Sequence, residues 1–177
     1  DVAWYPLELL VSFHDKARHC YVQSEATMPS HSEVRKLRYT ANQMYALVAD
    51  VGNYPQFLPW TAAARVRRVT PQPDGSELME ADLVISFKVF RERFGSRVVL
   101  WPKEKRIHTE YLDGPFHHMR SNWAFRDVAG GCEVGFDVDF AFKNRLLQTA
   151  AELFFYEAMK RVVRAFEKRA DALYDDP

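Results

Sequence analysis

The 177-residue chain is long enough for one medium-sized domain that buries its own core. Its 24 basic and 24 acidic side chains cancel, so composition gives no electrostatic support for a nucleic-acid binder, and we expect no DNA partner. Two distant cysteines argue against a disulfide scaffold or zinc module. Without an apolar run of about 18 residues no spanning helix is expected. We therefore expect a cytoplasmic protein, with a peripheral place at the inner membrane left open.

Residues 1–31 differ in character from the rest and show no clear period. They lack the basic start, long apolar stretch and small-residue cleavage site of a signal peptide. Either Met28 is the natural start and the first 27 residues are not native, or a short accessory helix runs from about Leu7 to Tyr21. We divide the chain into an N-terminal extension, residues 1–31, and a folded domain, residues 32–177.

One strand and two short helices are predicted next. Residues 33–39 alternate and predict the strand. Thr40, with Gln43 three residues on, predicts a capping box that starts a helix ending near Gly52. In the following segment NYPQFLPW, Pro55 can start a second short helix, and Pro59 must end it.

From Thr61 to Lys143 the hydrophobic period is two, which predicts six strands. Their ranges are 66–70, 78–90, 94–101, 106–112, 119–125 and 132–142. PQPDGS, WPKEK and AGG supply turns between them. In the second strand, Val89 is placed on the same face as Phe87. The last strand alternates Val and Phe with acidic residues, which is typical of an antiparallel sheet with one buried and one solvated face.

Asn144 then opens a segment with apolar residues every three or four positions over about 30 residues, or about 45 Å of helix. Such a helix must bury its apolar stripe across a sheet. The sequence therefore predicts an α+β fold: a curved antiparallel sheet of about seven strands wrapped around a long C-terminal helix, with two short helices after the first strand. A bent sheet and a straight helix leave a cavity between them, lined by aromatic side chains.

Three ordered motifs carry a family resemblance: YTANQMYALVADVGNYPQFLPW, GPFHHMRSNWAF, and FDVDFAFKNRLLQTAAELFFYEAMKRVVRAFEKRADALY. Together they resemble the coenzyme Q-binding family of START-like proteins over roughly residues 32–174. That family includes ubiquinone-binding proteins of respiration and bacterial ribosome-association toxin homologues, and is often labelled polyketide cyclase/dehydrase. The resemblance implies a helix-grip fold with an internal hydrophobic ligand site.

On this basis the leading hypothesis is a non-enzymatic carrier of a polyisoprenoid quinone, most simply ubiquinone, which supports respiration or quinone synthesis. We expect no cofactor other than such a bound lipid, no metal and no catalytic residue. The NYPQFLPW segment is interpreted as a portal over the cavity or an edge that touches membrane, the alternative being that it caps the core. Residues expected to line the cavity or its portal are Tyr54, Phe57, Leu58, Trp60, Phe87, Phe116, Trp123, Phe136, Phe154 and Met159.

Two other functions stay open. Three basic groups, in residues 65–68, 91–97 and 161–169, could bind a ribosomal subunit if they merge on one surface, or could be ordinary solvated faces. A polyketide cyclase or aromatase would need a polar group in the pocket, for which Tyr111, His108 and Glu110 are the candidates.

Two apparent motifs are read as structural. His117 and His118 are adjacent, so on a strand they point to opposite faces and cannot readily share a metal. Asp137 and Asp139 are expected on the solvated face, which does not suit acid/base catalysis.

Overall fold

The computed structural model describes residues 30–175, so both interpretations of residues 1–27 lie outside the described residues. The strands and helices follow in one order along the chain. They are β1 (Ser30–Leu37), α1 (Ala41–Ala49), a 3-10 helix (Val51–Gln56), β2 (Thr61–Pro71), β3 (Glu77–Phe87), β4 (Phe90–Trp101), β5 (Arg106–Asp113), β6 (Phe116–Val128), β7 (Gly131–Phe142) and α2 (Arg145–Tyr174). The first strand thus begins two residues before the domain start expected at residue 32.

The seven strands form one antiparallel sheet in the order β1-β7-β6-β5-β4-β3-β2. Every neighbouring pair is antiparallel, and β1 reaches the sheet by pairing with β7. The sheet curves, and both α-helices lie against its concave face. The predicted α+β helix-grip architecture is therefore confirmed.

Both predicted helix starts are confirmed by their caps. Thr40 accepts a hydrogen bond from the Gln43 N–H, and the Gln43 side chain accepts from the Thr40 N–H. The Asn144 side chain accepts from Leu146 N–H and Leu147 N–H, which satisfies two donors at the start of α2.

The second short helix is placed differently from the prediction. It begins at Val51, so Pro55 lies inside it instead of starting it. Val51 is buried, and the Tyr54 hydroxyl donates to the carbonyl of Val48 at 2.5 Å. These contacts turn the chain directly after α1. The helix is therefore complete before Pro59 is reached.

The hairpin between β3 and β4 corrects a second prediction. Residues 78–90 do not form one strand, because the chain reverses at Lys88 and Val89, and Phe87 pairs with Phe90. Lys88 has φ 53°, and Val89 is 90% exposed at the tip, so it does not share a face with Phe87. Tight hairpins usually carry Asn or Gly at such positions. The Lys-Val pair therefore gave no local sequence signal for a hairpin turn.

Candidate functional site

The concave face of the sheet has two halves with different coverage. In the closed half, inward-facing residues such as Met79, Val98, Leu100 and Ile107 are buried beneath α1 and the C-terminal half of α2. In the open half, Phe94, Ser96 and Phe116 are buried and Glu92 is exposed, but most inward-facing residues are only partly buried, although the strand register places them on the same face. They are Leu83, Ile85, Phe87, Phe90, Thr109, Tyr111, Met119, Ser121, Val138, Phe140 and Phe142.

The N-terminal half of α2 explains this incomplete coverage. Among residues 145–160 only Leu147 is buried. Four large side chains of this half are exposed instead, namely Leu146, Leu153, Phe154 and Tyr156. The open half is therefore an apolar trough between the sheet and a loosely seated stretch of helix.

The space already enclosed within the closed half is too small for a lipid. A cavity of about 30 Å³ lies between Met44, Trp123 and Phe166. That volume holds about one water molecule, whereas ligand sites usually measure several hundred Å³. A larger hollow of about 470 Å³ lies on the convex face beside His108, Asn122 and Asp137, so a lipid held between the sheet and α2 would have to occupy the trough.

Ion pairs at the β1 edge hold the C-terminal half of α2 to the sheet. Arg35 bonds both Glu33 on its own strand and Glu167 on α2. Burial disfavours the charged Glu33 carboxylate, but hydrogen bonds from Arg35 and His31 outweigh this and hold its pKa below the usual value. Tyr39 also donates to Asp171. These contacts anchor the end of α2 that covers the closed half.

The NYPQFLPW segment divides into two parts. Tyr54 and Phe57 make edge-to-face contacts with Phe166 of α2, with ring centroids 5.6 and 5.3 Å apart, and Leu58 packs against the same core. Trp60 leaves this cluster, with φ 59°, and contacts Phe87 at 5.8 Å. The first part therefore caps the closed half, and only Trp60 reaches the trough.

Trp60 belongs to an aromatic group at the tip of the β3–β4 hairpin. The Lys88 ammonium lies 5.5 Å from the Phe87 ring and 5.7 Å from the Phe154 ring of α2. With exposed Val89, these side chains surround the end of the trough. We call Trp60, Phe87, Lys88, Val89 and Phe154 the mouth.

The remaining expected lining residues lie in other places. Trp123 stacks on Phe136 at 4.1 Å and meets Phe166 at 5.2 Å, where the two halves join. Phe116 is buried at the far side of the trough, and Met159 is half-buried on α2. The rings around Phe116 are Phe94, Tyr111, Phe140 and Phe142. The ten expected residues therefore form separate groups, not one continuous shell.

The strand register separates the three polar candidates for catalysis. His108 lies on the convex face, where it bonds Asn122 and Glu110. Tyr111 pairs with Ser96 and points to the concave side, and its hydroxyl is buried without a hydrogen-bond partner among the described residues. Of the three, the register places only Tyr111 on the side of the trough.

The two carboxylates of β7 lie on the convex face. Asp137 accepts a hydrogen bond from Asn122, and Asp139 accepts from Arg120. Within residues 30–175, no three His, Cys, Asp or Glu side chains come together as a metal site. No helix of that part of the chain is long and apolar enough to cross a membrane.

A curved antiparallel sheet gripping a long C-terminal helix, with an apolar trough between the two layers, defines the START-like helix-grip class. Comparison with known proteins gives the family. The family model described as polyketide cyclase / dehydrase and lipid transport matches residues 37–167, and the chain belongs to this family.

Relatives within it carry different names. The chain is 32% identical to a ribosome association toxin of Rickettsia prowazekii, over 81% of this chain and 97% of that protein. It is 33% identical to a mitochondrial coenzyme Q-binding protein of Xenopus laevis, over 81% of this chain but 59% of that protein. The solution structure of an 18 kDa Caulobacter crescentus protein is 30% identical, with a TM-score of 0.70, covering 84% of this chain and 100% of that one. The resemblance seen in the three motifs is confirmed.

Proposed function

We propose that this protein is a non-enzymatic carrier that binds a polyisoprenoid quinone, ubiquinone in the simplest case, in the trough. The observation that carries the proposal is the open half of the concave face, where inward-pointing apolar side chains are left partly exposed. The coenzyme Q-binding name of the Xenopus relative supports the same ligand class.

Burial of the lipid tail supplies the affinity. Each methylene withdrawn from water contributes about 0.8 kcal/mol, so a few isoprene units against the trough are enough for useful binding. The ligand also covers apolar protein surface that the empty trough exposes. The tail therefore does most of the binding, and no reaction step is needed.

The mouth suits transfer to and from a membrane surface. It presents an exposed Val89 and a half-exposed Phe154 beside the ammonium of Lys88. Apolar side chains next to a cation favour an anionic lipid surface. We propose that the protein works peripherally at the inner membrane, with the hairpin tip touching the lipid.

Lipid extraction from the purified protein, followed by mass spectrometry, tests the function. We expect a prenyl quinone in the extract of the wild-type protein and less of it from Phe87→Ala. Val34→Ala is the matched control, because Val34 is 70% exposed and its register places it on the convex face. An empty protein that also fails to take up added quinone would refute the proposal.

A ribosome-binding role is the second candidate, favoured by one surface. Six arginines of β2 and β4 share the convex face, namely Arg65, Arg67, Arg68, Arg91, Arg93 and Arg97. Glu80 and Asp82 of β3 lie between them and pair with three of the six. The basic residues of α2 belong to the helical layer on the other side of the sheet. Two of the three basic groups therefore join, and the third does not.

Cosedimentation with ribosomal subunits at physiological salt tests this second candidate. Arg65→Glu with Arg97→Glu should abolish any cosedimentation, whereas Arg161→Glu with Arg164→Glu, on the helical layer, should leave it unchanged. Absence of wild-type binding under these conditions would remove the candidate.

A further inference from the structure

Four hydroxyl side chains interrupt the apolar concave face. They lie on three adjacent strands and are Ser96 of β4, Thr109 and Tyr111 of β5, and Ser121 of β6. The register pairs Ser96 with Tyr111 and Thr109 with Ser121, so the four are direct neighbours across the sheet. We call them the hydroxyl row.

The hydroxyl row includes a hydroxyl that has no hydrogen-bond partner among the described residues. Ser96 is buried and donates to the carbonyl of Ala81 at 3.3 Å. The Tyr111 hydroxyl is buried and has no partner among the described residues. Buried polar groups are almost always hydrogen-bonded, so an unpartnered hydroxyl at a ligand trough points to an acceptor supplied by the ligand.

The charges around the trough limit what that ligand can be. Within the described strands, the register places the basic residues His31 and Arg35 on the concave face, and both are already paired with Glu33, Arg35 with Glu167 as well. Glu92 of β4 adds a negative charge to the same face. A carboxylate or phosphate headgroup would therefore enter without a cation to balance it, which is costly away from water. The hydroxyl row fits a neutral headgroup with carbonyl or ether oxygens.

The position of the hydroxyl row indicates how a ligand would be oriented in the trough. Ser96 lies six positions along β4 from Phe90 at the hairpin tip, which is about 20 Å along a strand. The inward-facing side chains along this path are mainly apolar, including Leu83, Phe94 and Ile85. A headgroup at the row would leave its tail running along the trough to the mouth.

We propose that Thr109, Tyr111 and Ser121 form the polar end of the ligand site and select a neutral, carbonyl-bearing headgroup. The proposal rests on the proposed function, because it assigns the headgroup end of the same trough. Tyr111 is the specificity-determining residue of the three, since its hydroxyl is the one that is buried and unpartnered.

The test compares two probes on delipidated protein: a short-tailed ubiquinone and a prenyl hydrocarbon of the same tail length. Tyr111→Phe removes the hydroxyl and keeps the ring against Phe116. We expect it to weaken ubiquinone binding about three- to tenfold, the usual range for one hydrogen bond, and to leave hydrocarbon binding unchanged. Tyr156→Phe, on an exposed tyrosine, is the control and should change neither affinity.

Stability gives a second measurement. Because the Tyr111 hydroxyl has no partner, Tyr111→Phe should leave the Tm of the ligand-free protein unchanged or raise it. A lower Tm, or equal weakening of both probes, would overturn the subsite by showing a packing role. Unchanged ubiquinone binding in Tyr111→Phe would overturn it while leaving the carrier function intact. Failure of the wild type to bind either probe would refute the carrier function, and the subsite with it.

Discussion

Replacing Phe57 and Trp60 separately by Ala should separate folding from ligand binding within one short segment. The Phe57 ring lies 5.9 Å from Tyr54 and 5.3 Å from Phe166, with the Arg169 guanidinium 5.6 Å from its centroid. Fully buried Phe→Ala changes cost about 3–5 kcal/mol. Because Phe57 is only partly buried, we expect Phe57→Ala to lower the free energy of unfolding by about 2–3 kcal/mol.

Trp60 has a much lighter structural role. Among residues 30–175 its aromatic partner is Phe87, with the ring centroids 5.8 Å apart, and such pairs contribute about 0.5–1.5 kcal/mol. Trp60→Ala should therefore lower the free energy of unfolding by about 1 kcal/mol. Under the proposed carrier function, however, the indole at the mouth would cover a bound tail, so we expect ubiquinone affinity to fall about fivefold or more.

Urea unfolding of the ligand-free variants and equilibrium titration with ubiquinone measure the two effects. The expected pattern is reciprocal: Phe57→Ala loses mainly stability, and Trp60→Ala loses mainly affinity. If Trp60→Ala lost as much stability as Phe57→Ala and kept its affinity, the assignment of Trp60 to the mouth would be wrong and the whole segment would cap the core.

Three further predictions concern the fold. Tyr54→Phe removes the hydrogen bond to the Val48 carbonyl and should lower the free energy of unfolding by about 1–3 kcal/mol, measured by urea denaturation. Burial raises the pKa of Tyr45 to about 12. The stabilisation that the buried, neutral Tyr45 gives the fold is therefore complete below about pH 10, where the unfolded side chain is still neutral, and is lost as pH rises through 12. Unfolding at pH 8 and pH 11 should show this loss, which Tyr45→Phe should reduce. Gly131 has φ 149°, and a Cβ there would lie 1.8 Å from the Leu37 carbonyl oxygen. Gly131→Ala should therefore destabilise the β1–β7 pairing by about 2 kcal/mol or more. Gly130→Ala is the control and should cost less, because there is open space around Gly130. Equal thermal denaturation midpoints for these two variants would contradict the steric argument.

Local chemistry made much of the fold predictable. The alternation in β7 and the caps at Thr40 and Asn144 are short-range signals, and each was confirmed in the structure. The reversal at Lys88 carried no such signal, because neither turn residue is a usual hairpin residue. Its position depends on the cross-strand pairing of Phe87 with Phe90, which sequence spacing alone does not reveal.

The site was less predictable than the fold for a related reason. Aromatic residues could be assigned to the interior of the fold from the sequence. Whether each one packs in the core or lines the trough depends on how far α2 covers the sheet. The 3.6-residue period of α2 runs over both of its halves, yet only the second half is tightly seated. Likewise, Tyr111 and Glu110 are neighbours in sequence, and only the strand register shows which of them faces the trough.

Titration of delipidated protein with ubiquinone tests the central claim most directly. The account predicts saturable binding at one site, weakened by Phe87→Ala in the trough and unaffected by Val34→Ala on the convex face. Binding that is absent, or that both variants weaken equally, would contradict a carrier site on the concave face of the sheet.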